Sequence, residues 1–156
     1  MQLSELQSYL KSLPEAVKED AAHIVAETAT SYFKEAFRVK GFDGQAWLPA
    51  KRPKKRGSLM ITSSALVGSI RPTVVTAERV VIAAGNDRVN YAKAHNEGWV
   101  GNVNVRAHQR KIKGKAVQVR QHQRLARIVK RQFMGNSRQL NLQILRRING
   151  YLNSLQ

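Results

Sequence analysis

The sequence contains no cysteine. Disulfides, thiolate metal sites and thiol catalysis are therefore excluded, and stability must come from packing or from assembly with other chains. Long apolar runs are missing as well, because stretches such as Val80 to Ala84 fall far short of the roughly 20 residues that span a bilayer. Met1-Gln2-Leu3-Ser4 does not begin a signal peptide. We therefore expect a protein that remains in the cytoplasm where it is made and has no membrane partner.

Acidic residues are absent after Glu97. Thirteen Lys and Arg residues lie between Gly98 and Gln156, whereas the first fifty residues contain seven acids and five bases. The net charge of +17 is therefore concentrated in one part of the chain. A long segment of one sign indicates a partner of opposite charge, either a nucleic acid or an acidic protein surface.

Catalytic motifs are also missing. The four histidines, His23, His95, His108 and His122, are scattered along the chain. A metal site that joins His108 to His122 is conceivable, but it lacks the acidic or thiolate ligands typical of such sites. The glycines form neither a P-loop nor a dinucleotide fingerprint. We therefore predict that the protein is not an enzyme and has no catalytic residue, cofactor or metal.

The N-terminal part of the chain has the clearest helical pattern. Ser12-Leu13-Pro14-Glu15 combines an N-cap, a proline near the first helical position and a glutamate at position N3. We predict a helix from about Pro14 to Val39 that ends at Gly41, with a short helix over Ser4–Lys11 ahead of it.

Two pairs of strands are predicted in the middle of the chain. Thr73 to Ala77 and Arg79 to Ala84 are rich in valine and isoleucine and predict an antiparallel hairpin. Val103 to Ala107 and Ala116 to Arg120 flank Lys113-Gly114-Lys115, which predicts the tip of a second hairpin. Because the second hairpin has few large apolar residues, we expect residues 99–130 to form an arm that projects from the domain.

Two further helices complete the predicted fold. Ser63 to Ile70 can form a short helix, and Asn136-Ser137 is predicted to cap a helix from Arg138 to Leu155. The apolar positions of the last helix recur every four residues and are Leu140, Ile144, Ile148 and Leu152. The sequence thus predicts one α+β domain over residues 1–156, in which a long N-terminal helix and a C-terminal helix pack on a small antiparallel sheet and a basic β-hairpin arm projects.

Two basic segments are candidate contact sites for DNA or for another protein. One is the arm, and the other is the segment 41–57, whose prolines and glycines predict an exposed loop. The loop has a second interpretation as a solvated basic surface without a partner. The candidate contact residues are Lys51, Arg52, Lys54, Lys55, Arg56, Arg106, Arg110, Lys111, Lys113, Lys115 and Arg120.

Four segments, taken together and in order, resemble the virion morphogenesis or tail completion family of tailed bacteriophages, which includes the Mu-like morphogenesis protein and related head-to-tail neck proteins. They are Phe42–Pro49, Leu59–Ile70, Asn90–Gly98 and Arg131–Ser137. The resemblance extends over roughly residues 14 to 155. It implies packing or turn roles for Trp47, Leu66, Ile70, Tyr91, Ala92, His95, Gly98, Phe133 and Gly135.

The resemblance also implies a function without catalysis. It predicts a structural virion protein that forms a ring at the head-to-tail junction, hexameric in preference to dodecameric, and joins the portal or connector to the tail-terminator protein. Assembly would take place in the host cytoplasm. The basic arm would then meet either DNA in the channel or an acidic patch of a neighbouring ring, and we favour the protein contact because a cationic channel would retard DNA.

The alternative function is that of a sequence-independent nucleic-acid-binding protein. Its charge alone would give a salt-dependent affinity for phosphates. The chain has no zinc-finger spacing, basic zipper or aromatic RNA-binding motif, and Trp47 and Trp99 are isolated in the sequence. Sequence-specific recognition therefore has no support.

Overall fold

The computed structural model describes residues 8, 12–51 and 57–155. Apart from Ser8, the predicted short helix Ser4–Lys11 lies outside these residues. The elements are α1 (Glu15–Val39), β1 (Gly41–Phe42), β2 (Gln45–Ala46), α2 (Ala65–Gly68), β3 (Arg71–Val75), β4 (Val80–Ala83), α3 (Ala92–Glu97), β5 (Trp99–Val105), β6 (His108–Ile112), β7 (Lys115–Val119), β8 (His122–Ile128) and α4 (Arg138–Asn153). The predicted α+β class is confirmed.

Helix α1 begins one residue later than predicted. Pro14, with φ −55° and ψ 149°, is the N-cap residue, and Glu15 occupies the first helical position. The predicted capping box with Ser12 as N-cap is therefore wrong. The extended ψ of Pro14 places it just outside the helix, where its carbonyl accepts hydrogen bonds from the main-chain N–H groups of Val17 and Lys18.

Helix α1 ends at Val39, as predicted, but the residue that terminates it is not the predicted Gly41. Lys40 adopts the left-handed conformation at φ 56°, and its N–H donates to the carbonyl of Ala36. Gly41 is therefore not the residue that ends the helix. It is needed for another reason, because a Cβ atom at this position would lie 2.6 Å from the carbonyl oxygen of Gln45 in the paired strand β2.

The segment predicted as an exposed loop over residues 41–57 begins with a small hairpin, so the prediction is wrong over its first part. Asp43 and Gly44 form a two-residue turn with φ values of 50° and 82°, which is typical of a type I′ turn. The turn pairs β1 with β2 and leaves Phe42 and Trp47 buried. The described residues 48–51 and 57 are exposed, as predicted.

Helix α2 is shorter than the predicted helix Ser63–Ile70. Ser64 precedes it with φ 56°, in the left-handed region, so the regular helix begins only at Ala65. The predicted apolar side is confirmed, because Leu66 and Ile70 are 5% and 1% exposed.

Strands β3 and β4 form the predicted hairpin. Thr76 and Arg79 exchange two main-chain hydrogen bonds of 2.9 and 3.2 Å across the turn. The register shifts between Pro72 and Val74, which is a bulge in β3. This hairpin packs against α1.

Helix α4 has the predicted start and the predicted apolar face. Ser137 is the N-cap residue, and its hydroxyl accepts a hydrogen bond of 3.1 Å from the N–H of Leu140. Leu140, Ile148 and Leu152 are buried and pack towards α1, while Ile144 is half-buried. The helix ends at Asn153, two residues before the predicted end at Leu155.

The centre of the core is a group of aromatic rings around Phe37, which is 1% exposed. Its ring centroid lies 5.4 Å from that of Trp47 and 5.0 Å from that of Phe133. Edge-on and tilted rings at such separations are favourable arrangements for aromatic pairs. The core therefore joins α1 to segments that lie far apart in the sequence.

The described strands form four separate two-stranded antiparallel ladders, so the helices pack on hairpins and not on one continuous sheet. No residue between Trp99 and Lys130 is buried, which confirms that the arm lies outside the core. Within the described ranges, none of the helices has the length and apolar character needed to cross a membrane.

Candidate functional site

The arm is one long hairpin made of two consecutive ladders. Strands β5 and β8 form seven cross-strand pairs, from Trp99↔Ile128 to Val105↔His122, and β6 and β7 form five more. At about 3.3 Å per residue, the strand from Trp99 to Ile112 extends ~45 Å. The tip is Lys113-Gly114, and its φ values of 48° and 81° match the type I′ turn that suits a two-residue hairpin loop.

A two-residue interruption in each strand divides the arm into an inner ladder, formed by β5 and β8, and an outer ladder, formed by β6 and β7. Arg106-Ala107 on one strand lies opposite Arg120-Gln121 on the other, and the pairing resumes in the same register. The two histidines that follow the interruption make equivalent bonds: Nδ1 of His108 lies 2.9 Å from the carbonyl oxygen of Arg106, and Nδ1 of His122 lies 2.9 Å from that of Arg120. Each imidazole therefore fixes its own strand beside the break.

The same bonds involve the two residues of the conceivable metal site, His108 and His122. In each ring, the Nδ1 atom is occupied by a main-chain carbonyl of the same strand. His108 pairs with Val119, and His122 pairs with Val105, so the two rings are not cross-strand partners. No group of three or more potential metal ligands occurs among the described residues.

The basic side chains occupy both faces of the arm. Side chains alternate between the two faces of a strand, and cross-strand partners share a face. In the outer ladder, Arg110 and Lys115 therefore share one face with Ile112 and Val117, whereas Lys111 lies on the opposite face beside Ala116. All of these side chains are exposed.

The base of the arm is fixed by α3. Gly98, which ends α3 with φ 81°, leads directly into β5. After β8, the N–H of Arg131 donates a hydrogen bond of 2.8 Å to the carbonyl of His95. The side-chain oxygen of Asn96 accepts from the N–H groups of Phe133 and Met134 at 2.9 and 3.0 Å. Both ends of the arm are therefore bonded to one short helix.

A second set of contacts joins the base of the arm to the segment after β2. Nε1 of Trp47 donates a hydrogen bond of 2.6 Å to the carbonyl of Gln132, and Nε of Arg131 donates one of 3.1 Å to the carbonyl of Leu48. Trp47 therefore anchors its segment on α1 and on residues 131–133.

Asp43 holds the start of α4, and sequence reasoning missed this role. Its Oδ1 atom accepts hydrogen bonds from the hydroxyl of Ser137 at 2.6 Å and from the N–H of Gln139 at 3.2 Å. Donation by Ser137, followed by donation from the Gln139 main chain, lowers the pKa of the Asp43 carboxyl below its usual value. The Asp-Gly pair in the sequence signals the turn, but nothing in the sequence signals its partner.

Lys40 is a second contact that the sequence did not indicate. Its Nζ atom donates hydrogen bonds to the hydroxyl of Ser58 at 2.8 Å, to the carbonyl of Leu59 at 3.2 Å, and to the carbonyl of Phe37. Partial burial lowers the pKa of this ammonium group. The side chain thereby ties the end of α1 to the chain beyond the basic run.

The basic loop is only partly described. Lys51 is exposed, and Arg52, Lys54, Lys55 and Arg56 lie outside the described residues. The predicted contacts of this loop with a partner stay a prediction.

The residues singled out by the family resemblance occupy the core and the base of the arm. Trp47, Leu66, Ile70, Ala92 and Phe133 are buried. Tyr91 is 37% exposed, and its ring lies edge-on to His95 at 5.6 Å. Gly98 and Gly135 have positive φ values of 81° and 143°. These positions therefore lie in the core or beside the base of the arm.

A model of the phage virion morphogenesis family matches residues 1–153 of the 156. The chain belongs to the phage virion morphogenesis family. This phage morphogenesis protein matches no curated protein and no solved structure. The family membership confirms the resemblance and identifies a component of phage particle assembly.

Proposed function

We propose that this phage morphogenesis protein is a neck or tail completion protein. It forms a ring at the head-to-tail junction, hexameric in preference to dodecameric, and joins the portal or connector to the tail-terminator protein. Its role is structural and needs no catalysis, cofactor or metal. The observation that carries the proposal is the arm: two ladders of paired strands, with no residue buried and no acidic side chain.

An arm of this kind suits a joining protein because its own contacts are few. A two-stranded hairpin without a third strand or a covering layer is at best marginally stable in water. Both faces and both outer edges of this arm are exposed. Its exposed apolar side chains include Val100, which is 60% exposed, and Leu125, which is 71% exposed. Contact with neighbouring subunits or rings would bury these side chains and pair the cations with acidic groups.

The proposed partners of the arm are acidic protein surfaces. The contact residues are proposed to be the arm cations Arg106, Arg110, Lys111, Lys113, Lys115 and Arg120, together with the basic loop. A ring whose channel was lined by these cations would bind the DNA that has to pass through it, which favours an orientation of the arm towards neighbouring protein surfaces.

The test is a charge reversal of Arg110, Lys111, Lys113 and Lys115 to Glu. All four side chains are exposed, so we expect the circular dichroism spectrum and the melting temperature to stay close to those of the wild type. Heads and tails should both form but remain unjoined, with a loss of infectious yield. A normal yield of infectious particles would refute the proposal for the arm.

The matched control reverses four exposed cations outside the arm, Lys34, Arg79, Arg138 and Arg146. It changes the net charge by the same amount. If the control blocked joining as strongly as the arm variant, general charge and not the arm would be responsible.

A second candidate function is sequence-independent binding of nucleic acid, and one observation favours it. The cations lie on both faces of the arm, as they would if a polyanion were to surround it. In this case, the purified protein would bind duplex DNA with a steep dependence on salt concentration and would be absent from the neck of imaged particles. Weak DNA binding together with incorporation at the neck would support the first function.

A further inference from the structure

An apolar groove lies beside the end of α1, against β1, β2 and the start of α4. It encloses about 570 Å³, and its apolar lining includes Tyr32, Ala36, Val39 and Phe42. Val39 is 55% exposed although it is a large apolar side chain. Within the part of the chain that the structure describes, the side chain of Val39 is therefore only partly covered.

The charges that line this groove are negative. Glu35 and Asp43 are the charged residues of its lining, in a chain with 27 Lys and Arg against 10 Asp and Glu. Hydrogen bonding lowers the pKa of both carboxyls, through Arg38 for Glu35 and through Ser137 for Asp43. Both are therefore ionised at neutral pH, and Arg38 offsets part of the charge of Glu35.

The tip of the arm carries positive charge, opposite in sign to the charge of the groove. On one face of the outer ladder, Ile112 and Val117 are diagonal neighbours, and they are 42% and 37% exposed. Arg110 and Lys115 lie on the same face, directly across from Val117 and Ile112. This face is an apolar pair flanked by two cations, and the groove is an apolar surface flanked by two carboxylates.

We propose that the arm tip of one copy docks in this groove of the next copy. Ile112 and Val117 pack against the exposed side chain of Val39, and the flanking cations face the carboxylates of the groove. The inference rests on the proposed ring and identifies the contact that would form it. Arm and groove are different surfaces of one chain, so the contact is heterologous, and its repetition closes into a ring when the rotation between copies allows closure.

The absence of cysteine allows a direct test by disulfide cross-linking. Two separately tagged variants, Ile112→Cys and Val39→Cys, are mixed, oxidised and separated without reductant. We expect a disulfide-linked pair that contains both tags. A chain that carries both substitutions should give a ladder of linked multimers. Single-cysteine chains cannot form more than a dimer.

The matched control is Gln109→Cys, which places the thiol on the opposite face of the outer ladder. Combined with Val39→Cys, it should cross-link only at the background level of single-cysteine chains. Equal cross-linking of the Gln109 and Ile112 variants would overturn the inference, because it would mean random collision and not docking of one face.

The same variants can also be oxidised within purified particles. This experiment shows whether only the docking contact is wrong or whether the proposed ring is wrong as well. If particle imaging shows a ring but Ile112→Cys does not link to Val39→Cys, the docking is wrong and the ring remains. If the protein is present in particles as a single copy, or not present at all, both are wrong.

Discussion

Nε1 of Trp47 donates a 2.6 Å hydrogen bond to the main-chain carbonyl of Gln132, across 85 positions of sequence. The bond fixes the chain that follows β2 to the chain that follows the arm. The indole ring also packs edge-on against Phe37 at the centre of the core. A single side chain thus connects the core to the base of the arm.

Replacement of Trp47 by Phe keeps an aromatic ring but removes the N–H donor. We expect the free energy of unfolding to fall by about 1 kcal/mol or more, since the carbonyl of Gln132 loses a partner and the smaller ring fills less space. Urea denaturation followed by circular dichroism measures the change. Trp99→Phe is the control, because Trp99 is 41% exposed, and it should change stability by less.

Asn96 is predicted to hold the returning end of the arm through its acceptor oxygen. Asn96→Ala would deprive the N–H groups of Phe133 and Met134 of their acceptor, at a cost of roughly 1–3 kcal/mol. Asn96→Asp keeps the oxygen and should retain most of the stability. Amide hydrogen exchange at the two positions should quicken in the Ala variant alone. Unchanged exchange there would contradict the assigned role.

The N-cap of α4 gives a third prediction. Ser137→Ala removes the acceptor for the N–H of Leu140 and the donor to Asp43, and caps of this kind contribute about 0.5–2 kcal/mol. The melting temperature should fall. Asn136→Ala, at the exposed neighbouring position, should have a smaller effect, and equal effects of the two substitutions would argue against the cap.

The dependence of stability on pH should reveal the contribution of the ionised Asp43 carboxyl to folding. Its pKa is lowered in the folded state, so its ionised form stabilises the fold above the unfolded pKa of about 3.9, and that stability is lost as the pH falls through the lower folded value. The carboxamide of Asp43→Asn does not titrate in this range. We therefore expect the wild type to be more stable than the variant by a constant amount near neutral pH, and that difference to shrink in acid. A difference that stayed constant into strong acid would contradict the prediction.

Much of the architecture follows from local sequence. The periodicity of α1 and α4, the Ser137 cap, the β3–β4 hairpin and the Lys113-Gly114 tip all depend on contacts or conformations within a few residues. The sequence also predicted that residues 99–130 would remain outside the core, because large apolar side chains are scarce there. Some of the errors concern local choices between close alternatives: Pro14 and not Ser12 is the N-cap of α1, and Lys40 and not Gly41 terminates it.

The contacts between distant segments could not be predicted from the sequence. Asp43 and Ser137 are ordinary turn and cap residues when considered separately, and Trp47 shows no sign of its partner Gln132. Local propensity and charge thus determined the elements and the arm. Tertiary packing alone decided which polar atoms meet and where an apolar groove with acidic sides forms, because hydrogen bonds and burial over long sequence separations depend on the whole chain being folded.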